Sequence, residues 1–332
     1  MGLSASAGPP ASSARASEAR IGIAAAIAAA VIYGAAYPAT AVAIRSFSPL
    51  AVAGLSCTLA LIVVVGLAAA GMLPSPSIGS MTWPRLTRLV ALALLGGILF
   101  IAGVNIAVAI AGPTITGFVA PLYAVFGTLF AVPLLGERIH PATIAAFILA
   151  FAGTALLAGA VPTGAPAGGV LLALVAAAMF GLYVVLARRW GAPYHLDGTL
   201  VTIANLVGRG PILLVVAFLV DPGGVVPATI DPGAVVALLT IALGSSASGN
   251  LLLMASLRRI PAARASAALL LTPVSSAVIA AVVLDDRLTT TGLAGAALIL
   301  AGMALASGAT MLRRPRTSGA PATPDGPDLA AP

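Results

Sequence analysis

The sequence predicts an all-α integral membrane protein with ten transmembrane helices arranged as two inverted five-helix repeats. Hydrophobic residues make up 60% of the chain and charged residues 8%, with a mean hydropathy of +1.12. This composition excludes a soluble globular protein, whose surface requires many more charged residues. The other two observations are a series of apolar windows long enough to cross a bilayer and an internal repeat.

A transmembrane helix needs roughly 20 mainly apolar residues. Ten windows satisfy this requirement, at 21–44, 50–73, 89–111, 114–135, 142–161, 168–187, 198–220, 233–256, 262–284 and 290–312. The first window is too long for the apolar region of a usual signal peptide, so we expect an uncleaved helix there. Only Gly112 and Pro113 separate the third window from the fourth, and nine helices is therefore the competing count.

The distribution of arginine predicts how these helices are oriented, because basic residues are retained on the cytoplasmic side of a membrane. Ten spans with a cytoplasmic N-terminus place thirteen arginines inside and only Arg45 and Arg287 outside. We therefore expect a multi-pass protein of the cell membrane with both termini in the cytoplasm. Residues 1–20 would form a cytoplasmic N-terminal tail, and residues 313–332 a disordered cytoplasmic tail.

The second half of the chain repeats the first. IYGAAY around Gly34 matches MFGLYV around Gly181, and GERIHPATIAAFILAFAGTALL from Gly136 matches DDRLTTTGLAGAALILAGMALA from Asp285. Both matches keep an offset of about 148 residues. A unit of five helices is odd, so the second unit must enter the membrane upside down relative to the first, which predicts inverted repeats. The two predicted units are residues 21–161 and 168–312.

Two segments carry a resemblance to a known family. They are SLRRIPAARASAALLLTPVSSAVIAAVVLDDRLTTTGLAGAALILAG at 256–302 and GPTITGFVAPLYAVFGTLFAVPLLGERIHPATIAAFILAFAG at 112–153. The chain resembles the ten-helix, EamA-domain branch of the drug/metabolite transporter superfamily. The resemblance implies transport of metabolites, often amino acids and often outward. In one departure, Pro121 lies about one helical turn further from the next acidic residue than Pro273 does. The arginine often found in the family's second helix has no match here.

Arg209 is the one charged residue that falls well inside an apolar window. A charge at bilayer depth costs at least about 2.5 to 3.5 kcal/mol, so it is kept where a cavity or a partner stabilises it. We predict that its guanidinium binds a carboxylate or another anionic group of the substrate. The alternative is that Gly208, Gly210 and Pro211 loosen the helix and free carbonyl groups that satisfy Arg209.

Other polar residues are predicted to line a cavity with Arg209. They are Tyr33, Tyr37, Asn105, Tyr123, Tyr183, Asn205 and Asn250. Asn105 and Asn250 occupy similar depths in the two repeats. The alternative for each residue is ordinary packing or a hydrogen bond between helices. Pro121 and Pro273 are predicted hinges, because a proline kink that faces a cavity would help its helix to bend.

Acidic residues are absent from the interior of all ten windows, which disfavours cationic drug efflux and leaves no usual proton relay. We expect Glu137 with Arg138, and Asp286 with Arg287, to form local ion pairs at helix ends, with a gating role as the alternative. His140 and His195 have no second ligand nearby in the sequence. No metal and no cofactor is therefore predicted.

We expect a secondary transporter of a small metabolite, with an amino acid or related carboxylate-bearing solute favoured, which exports its substrate by alternating access. Its partners would be a small-molecule substrate and the lipid bilayer; the scattered arginines form no stripe for nucleic acid. One chain is sufficient for the pathway, and a homodimer is also compatible. The alternatives are a membrane-embedded enzyme, which would need an acid/base pair, metal cluster or phosphate loop that is not visible, and a lipid scramblase or helper subunit.

Overall fold

The computed structural model describes residues 11–72, 81–136, 141–159, 166–196, 198–257, 259–260, 265 and 268–311, and this part of the chain is helical without strands. We label the main helices α1 to α10. Their bounds are α1 Ala11–Ala43, α2 Pro49–Ala69, α3 Trp83–Ala111, α4 Pro113–Leu135, α5 Pro141–Gly159, α6 Pro166–Gly191, α7 Gly198–Val220, α8 232–257, α9 Leu271–Leu284 and α10 Thr290–Met311. A single helical turn, Pro222–Val225, lies between α7 and α8.

Seven of these helices, within the described ranges, are long and apolar enough to cross a membrane, namely α1 to α4 and α6 to α8. The remaining three contribute shorter apolar stretches, at Ile144–Leu157, Leu271–Leu284 and Thr290–Leu305. The predicted separation of the third and fourth windows is present: α3 ends at Ala111 and α4 begins at Pro113. Gly112 makes this break with a φ of 84°, a conformation that side chains disfavour.

Two pairs of equivalent helices pack directly against each other, and both pairs run antiparallel. In the α5–α10 pair, the first carbon of a side chain at Gly153 would lie 2.6 Å from the carbonyl oxygen of Gly295, and one at Gly302 would lie 2.7 Å from that of Ala146. Residue numbers therefore increase along α5 in the direction in which they decrease along α10, so the two helices are antiparallel. Glycine is required at these crossings because the backbones approach too closely for any side chain.

The second pair is α2 with α7, and its contacts show the same reversal. A side-chain carbon at Gly54 would lie 2.6 Å from the backbone nitrogen of Leu214, and one at Gly210 would lie 2.9 Å from that of Thr58. Because α2 and α7 hold equivalent places in the two repeats, their antiparallel packing fits the predicted inversion of one repeat relative to the other.

The other contacts between helices also follow the repeat: a contact in one half has an equivalent contact when each helix is replaced by its counterpart. α1 packs on α9 as α6 packs on α4, and α1 packs on α8 as α6 packs on α3. The repeat glycines mark two of these crossings: a side-chain carbon at Gly34 would lie 2.6 Å from the carbonyl oxygen of Thr272, and one at Gly181 would lie 2.9 Å from that of Tyr123. The repeat seen in the sequence is thus a repeat of packing.

Each half contains one widened helical segment that the sequence analysis did not predict. Residues Ala93–Leu99 of α3 and Thr240–Gly249 of α8 are π-helical. They lie at equivalent places, since α3 and α8 are each the third helix of their repeat. Segments of π-helix disrupt the regular hydrogen-bond ladder and are often found at functional sites. The segment in α3 carries Gly96 and Gly97, which face α6 and α7.

The closeness of the α5–α10 crossing leads to a stability prediction. Gly153→Ala should lower the free energy of unfolding by about 1 to 3 kcal/mol, because the new methyl group would overlap the backbone of α10. The measurement is the thermal unfolding midpoint of the purified protein in detergent. Gly66→Ala is the matched control, since a side-chain carbon at Gly66 in α2 meets nothing within 4 Å. An equal midpoint for the two variants would contradict the crossing.

Candidate functional site

Arg209 lies in the middle of α7, which runs without interruption from Gly198 to Val220. The helix continues through Gly208 and Pro211. Proline has no N–H for the carbonyl group four residues earlier, so the alternative, in which freed carbonyl groups satisfy Arg209, stays a prediction. Gly210 serves the crossing with α2 instead. Arg209 is partly buried and its Nε atom is fully buried, with no hydrogen-bond partner among the described residues.

No carboxylate of the described chain pairs with Arg209. The ion pairs there join Arg259 to Glu18 at 3.0 Å and Arg287 to Asp285 at 2.8 Å, both with exposed partners. A guanidinium has five N–H groups and strongly favours planar anions that accept two of them. The cation of Arg209 is therefore available to an anion that is not part of the described protein.

The π-helical segment of α3 provides the surface that Arg209 packs against. A side-chain carbon at Gly97 would lie 3.1 Å from Oδ1 of Asn205, 3.3 Å from Cβ of Arg209 and 3.5 Å from its Cδ. Asn205 and Arg209 are four residues apart on α7 and therefore share one face of that helix. The glycine therefore allows α3 to pack closely against both polar side chains, where a methyl group would be crowded.

Two tyrosines lie near Arg209, and two more lie near the first of these. The Arg209 guanidinium interacts electrostatically with the hydroxyl groups of Tyr33 on α1 and Tyr183 on α6. Tyr123 on α4 in turn interacts with Tyr33 and with Tyr37. The predicted set Tyr33, Tyr37, Tyr123, Tyr183, Asn205 and Arg209 is thus brought together from both halves of the chain.

Asn205 is buried, and its orientation is set by its own helix. Its Nδ2 donates to the carbonyl oxygen of Val201 at 3.0 Å and to the hydroxyl of Tyr183 at 3.4 Å. A carbonyl oxygen only accepts, so the amide nitrogen must face Val201 and the amide oxygen must face away. Within the described ranges, that oxygen has no hydrogen-bond partner.

Asn105 is not hydrogen-bonded to this group in the described structure. Asn105 is buried and donates from Nδ2 to Ile101 of its own helix at 2.8 Å, and no bond links it to the six clustered residues in the described structure. The side chain of Asn250 lies outside the described residues, so its predicted role stays a prediction.

Both predicted hinge prolines lie where their helices are irregular. Pro121 is in a turn of 3-10 helix, Ala120–Leu122, in the middle of α4. Pro273 lies in the first turn of α9, directly after a turn at Leu270. Their hinge function stays a prediction, but each marks a point at which its helix departs from regular α-helical geometry.

Sequence reasoning missed the aromatic neighbours of the tyrosines. Phe100 and Phe180 pack with ring centroids 4.4 Å apart, and Phe180 also contacts Tyr123 at 4.8 Å and Tyr183 at 5.1 Å. Gly96 admits the Tyr183 ring, since a side-chain carbon there would lie 2.5 Å from Cγ of that ring. The adjacent glycines in LLGGIL were the available signal for a close approach.

The expected ion pair of Asp286 with Arg287 is wrong. Arg287 pairs with Asp285, and Oδ2 of Asp286 accepts a hydrogen bond from the backbone N–H of Thr114 at 3.3 Å. The carboxylate gains more from the first turn of α4 because unsatisfied N–H groups and the helix dipole favour negative charge there. The other expected pair, Glu137 with Arg138, lies outside the described residues, as does His140.

No group of three metal-ligating side chains occurs in the part of the chain that the structure describes. His195 is exposed in the turn after α6, where its carbonyl oxygen accepts a hydrogen bond from Arg85 at 3.0 Å. The backbone of His195, with a φ of 50°, thus fixes this turn against the start of α3.

Comparisons with known proteins cover most of the chain. Residues 20–159 and 167–308 each match the sequence profile described as the EamA-like transporter family. No curated protein matches the chain. A solved crystal structure, whose title names no function, matches with a TM-score of 0.61 and 21% identity, covering 88% of this chain and 96% of the other. At this identity the likeness shows the fold alone.

That no described carboxylate pairs with Arg209 leads to a second prediction. Arg209→Gln should leave the thermal unfolding midpoint of the purified protein unchanged or raise it, because a buried cation with no carboxylate partner costs desolvation energy without return. A structural arginine would behave in the opposite way: a midpoint lowered by several degrees would show that Arg209 holds the helices together.

Proposed function

Because the chain belongs to the EamA-like transporter family, we propose that it is a secondary transporter that carries a small carboxylate-bearing metabolite, with amino acids as the favoured class, across the cell membrane. All ten helices would cross the bilayer, with both termini in the cytoplasm, as the arginine distribution favours. Export is the proposed direction, as is common in the superfamily that the sequence resembles. One chain is sufficient for this pathway.

The observation that carries the substrate class is Arg209. A cation at this depth is expensive and is retained where it has a partner, and no described residue supplies one. Its neighbours are tyrosine hydroxyls, a buried amide and aromatic rings, which suit a small solute with a polar head and an apolar body. An anionic group of the substrate is the partner that we propose.

The inverted repeats support alternating access as the mechanism. When two halves are related by inversion, each can adopt the conformation of the other, which closes one end of the pathway and opens the opposite end. The polar cluster draws residues from α1, α4, α6 and α7, so the substrate would lie between the halves. Pro121 and Pro273 would bend α4 and α9 during the exchange.

Counterflow in liposomes tests the transport function. The purified protein should accumulate radiolabelled amino acids or related carboxylates against a preloaded unlabelled pool, and Arg209→Gln should lower the initial rate at least about tenfold, since a lost charge-assisted hydrogen bond is worth about 1.5 to 3 kcal/mol. Arg287→Gln is the control, because its guanidinium is exposed and paired at the surface. Equal rates for wild type and Arg209→Gln would show that Arg209 does not bind the substrate.

The bond between Asp286 and the first turn of α4 supports an outer gate in this mechanism. It ties the loop between α9 and α10 to the start of α4, and thus joins the two halves at one end. Residues 113–122, which follow this contact, are buried throughout. Opening that end would expose part of this segment to water.

Asp286→Asn should make the outer end open more often. A carboxylate at a helix N-terminus contributes about 0.3 to 1 kcal/mol, so its loss predicts a two- to fivefold faster reaction of a cysteine at Ile115 with an impermeant maleimide added from outside. The background is Cys57→Ala, and Ile115 is a suitable reporter because it is buried. Asp285→Asn is the control, since the partner of Asp285 among the described residues is the exposed Arg287. Equal labelling of all three proteins would contradict the gate.

A further inference from the structure

The inversion of the two halves relates the two ends of the protein, so a contact that is present at one end alone marks the closed end. Equivalent positions in α4 and α9 follow from the packing of the repeat glycines. A side-chain carbon at Gly34 would lie 2.9 Å from the backbone nitrogen of Ser276 on α9. One at Gly181 would lie 2.8 Å from the backbone nitrogen of Gly127 on α4. Ser276 therefore corresponds to Gly127.

The outer end, which carries Asp286, is closed where α4 meets α9 and α1. A side-chain carbon at Gly117 of α4 would lie 2.8 Å from Cβ of Ser276 and 3.6 Å from Cδ2 of Tyr37 on α1. Ser276 is 0% exposed. Residues 113–122, the first half of α4, are all buried. This half of the helix is thus sealed against its neighbours from the opposite side of the pathway.

The opposite end of the same helix is open by comparison. Gly127, the equivalent of Ser276, is partly exposed. In the second half of α4, Tyr123–Leu135, only Val125 and Ala131 are buried. Among the described residues, a side-chain carbon at Gly127 would meet α6 alone within 4 Å, at 3.6 Å or more. The seal at Gly117 therefore has no described counterpart here.

The packing of whole helices shows the same difference between the ends. At the outer end, α1 packs on α4 and on α3, and α2 packs on α3. The equivalent pairs, α6 with α9, α6 with α8 and α7 with α8, do not pack to a similar extent within the described ranges. Because the halves are related by inversion, these are the pairs that would pack when the inner end closes.

Two hydroxyl groups near the seal favour its opening. Oγ1 of Thr114 and Oγ of Ser276 are buried and have no hydrogen-bond partner among the described residues. An unpaired buried polar atom is costly, and contact with water removes that cost. The sealed state is therefore stabilised by apolar packing and opposed by these two groups, as a reversible closure requires.

We infer that the unliganded protein rests with its outer end sealed and its cytoplasmic end open, and that Gly117 is the residue on which the outer seal closes. A glycine is needed because a side chain would overlap Ser276 and hold α4 away from α9. This inference rests on the proposed function and adds to it the resting state and the closing residue. An exporter loads its substrate from the cytoplasm, which this resting state allows.

Thiol labelling of membrane vesicles compares the two ends at equivalent positions. In a Cys57→Ala background, Ser276→Cys replaces a side chain of similar size, and Gly127→Cys adds an atom with no neighbour closer than 3.6 Å. The probe is an impermeant, water-soluble methanethiosulfonate. Gly127→Cys should react from the cytoplasmic face at least about tenfold faster than Ser276→Cys reacts from the outer face, because the outer end is open in a minority of molecules.

Gly117→Ala should shift this balance, since its methyl group would overlap Ser276. The reaction of Ser276→Cys from outside should rise at least about fivefold, and that of Gly127→Cys from inside should fall. Gly66→Ala is the matched control, because a side-chain carbon there meets nothing within 4 Å. It should leave both rates unchanged. A variant that folds badly would raise both rates together, so the opposite changes are specific to a shift between two states.

Equal rates for the two reporters, or faster reaction of Ser276→Cys, would overturn the resting state inferred here. Unchanged rates in Gly117→Ala, or a rise of both, would overturn the role of Gly117. Labelling requires no substrate, so either result leaves the proposed carboxylate transport in place. The expected labelling with no counterflow of any carboxylate would instead overturn the proposed substrate class and leave the resting state standing.

Discussion

Two antiparallel helices can approach to backbone contact only where at least one of them lacks a side chain at the contact point, and this fold depends on two such crossings. Gly153, Gly295 and Gly302 allow α5 to meet α10, while Gly54 and Gly210 allow α2 to meet α7. In each pair the partners are equivalent helices of the two repeats. The glycines therefore hold one half upside down against the other, and the remaining helix contacts follow from that relation.

The inverted arrangement explains how residues distant in the sequence form one polar cluster. Tyr33 and Tyr123 come from the first repeat, and Tyr183, Asn205 and Arg209 from the second. The widened turn of α3 contributes glycine, which allows the polar face of α7 to pack closely against α3. Within the described ranges, no carboxylate pairs with this cation and no donor reaches the amide oxygen of Asn205. Both are groups that a bound solute would complete.

The sequence predicted the positions of the helices well because membrane spans are set by length and apolarity alone. Gly112 and Pro113 correctly marked the break between α3 and α4, since a residue at φ 84° followed by proline cannot continue a helix. Contacts between helices were harder to predict. Asp286 was expected to pair with Arg287 but bonds to the N-terminus of α4 instead. This depends on which helix end lies nearby in the fold, and no local sequence pattern shows that.

Within the candidate site, composition identified polar residues at bilayer depth but could not orient them. Nothing in the sequence shows that Asn205 turns its nitrogen to Val201 and its oxygen away, because this depends on the face of α7 that packs against α3. The π-helical segments were likewise not predicted, since their small residues are equally common in regular membrane helices. Sequence reasoning found the cation, and the structure supplied its surroundings.

A structure determined by cryo-electron microscopy with a transported carboxylate bound, in complex with an antibody fragment, tests the central claim most directly. The account predicts density for the carboxylate within hydrogen-bonding distance of the Arg209 guanidinium, between the two halves. Substrate density elsewhere, with Arg209 satisfied by a protein carboxylate or backbone carbonyl, would contradict it.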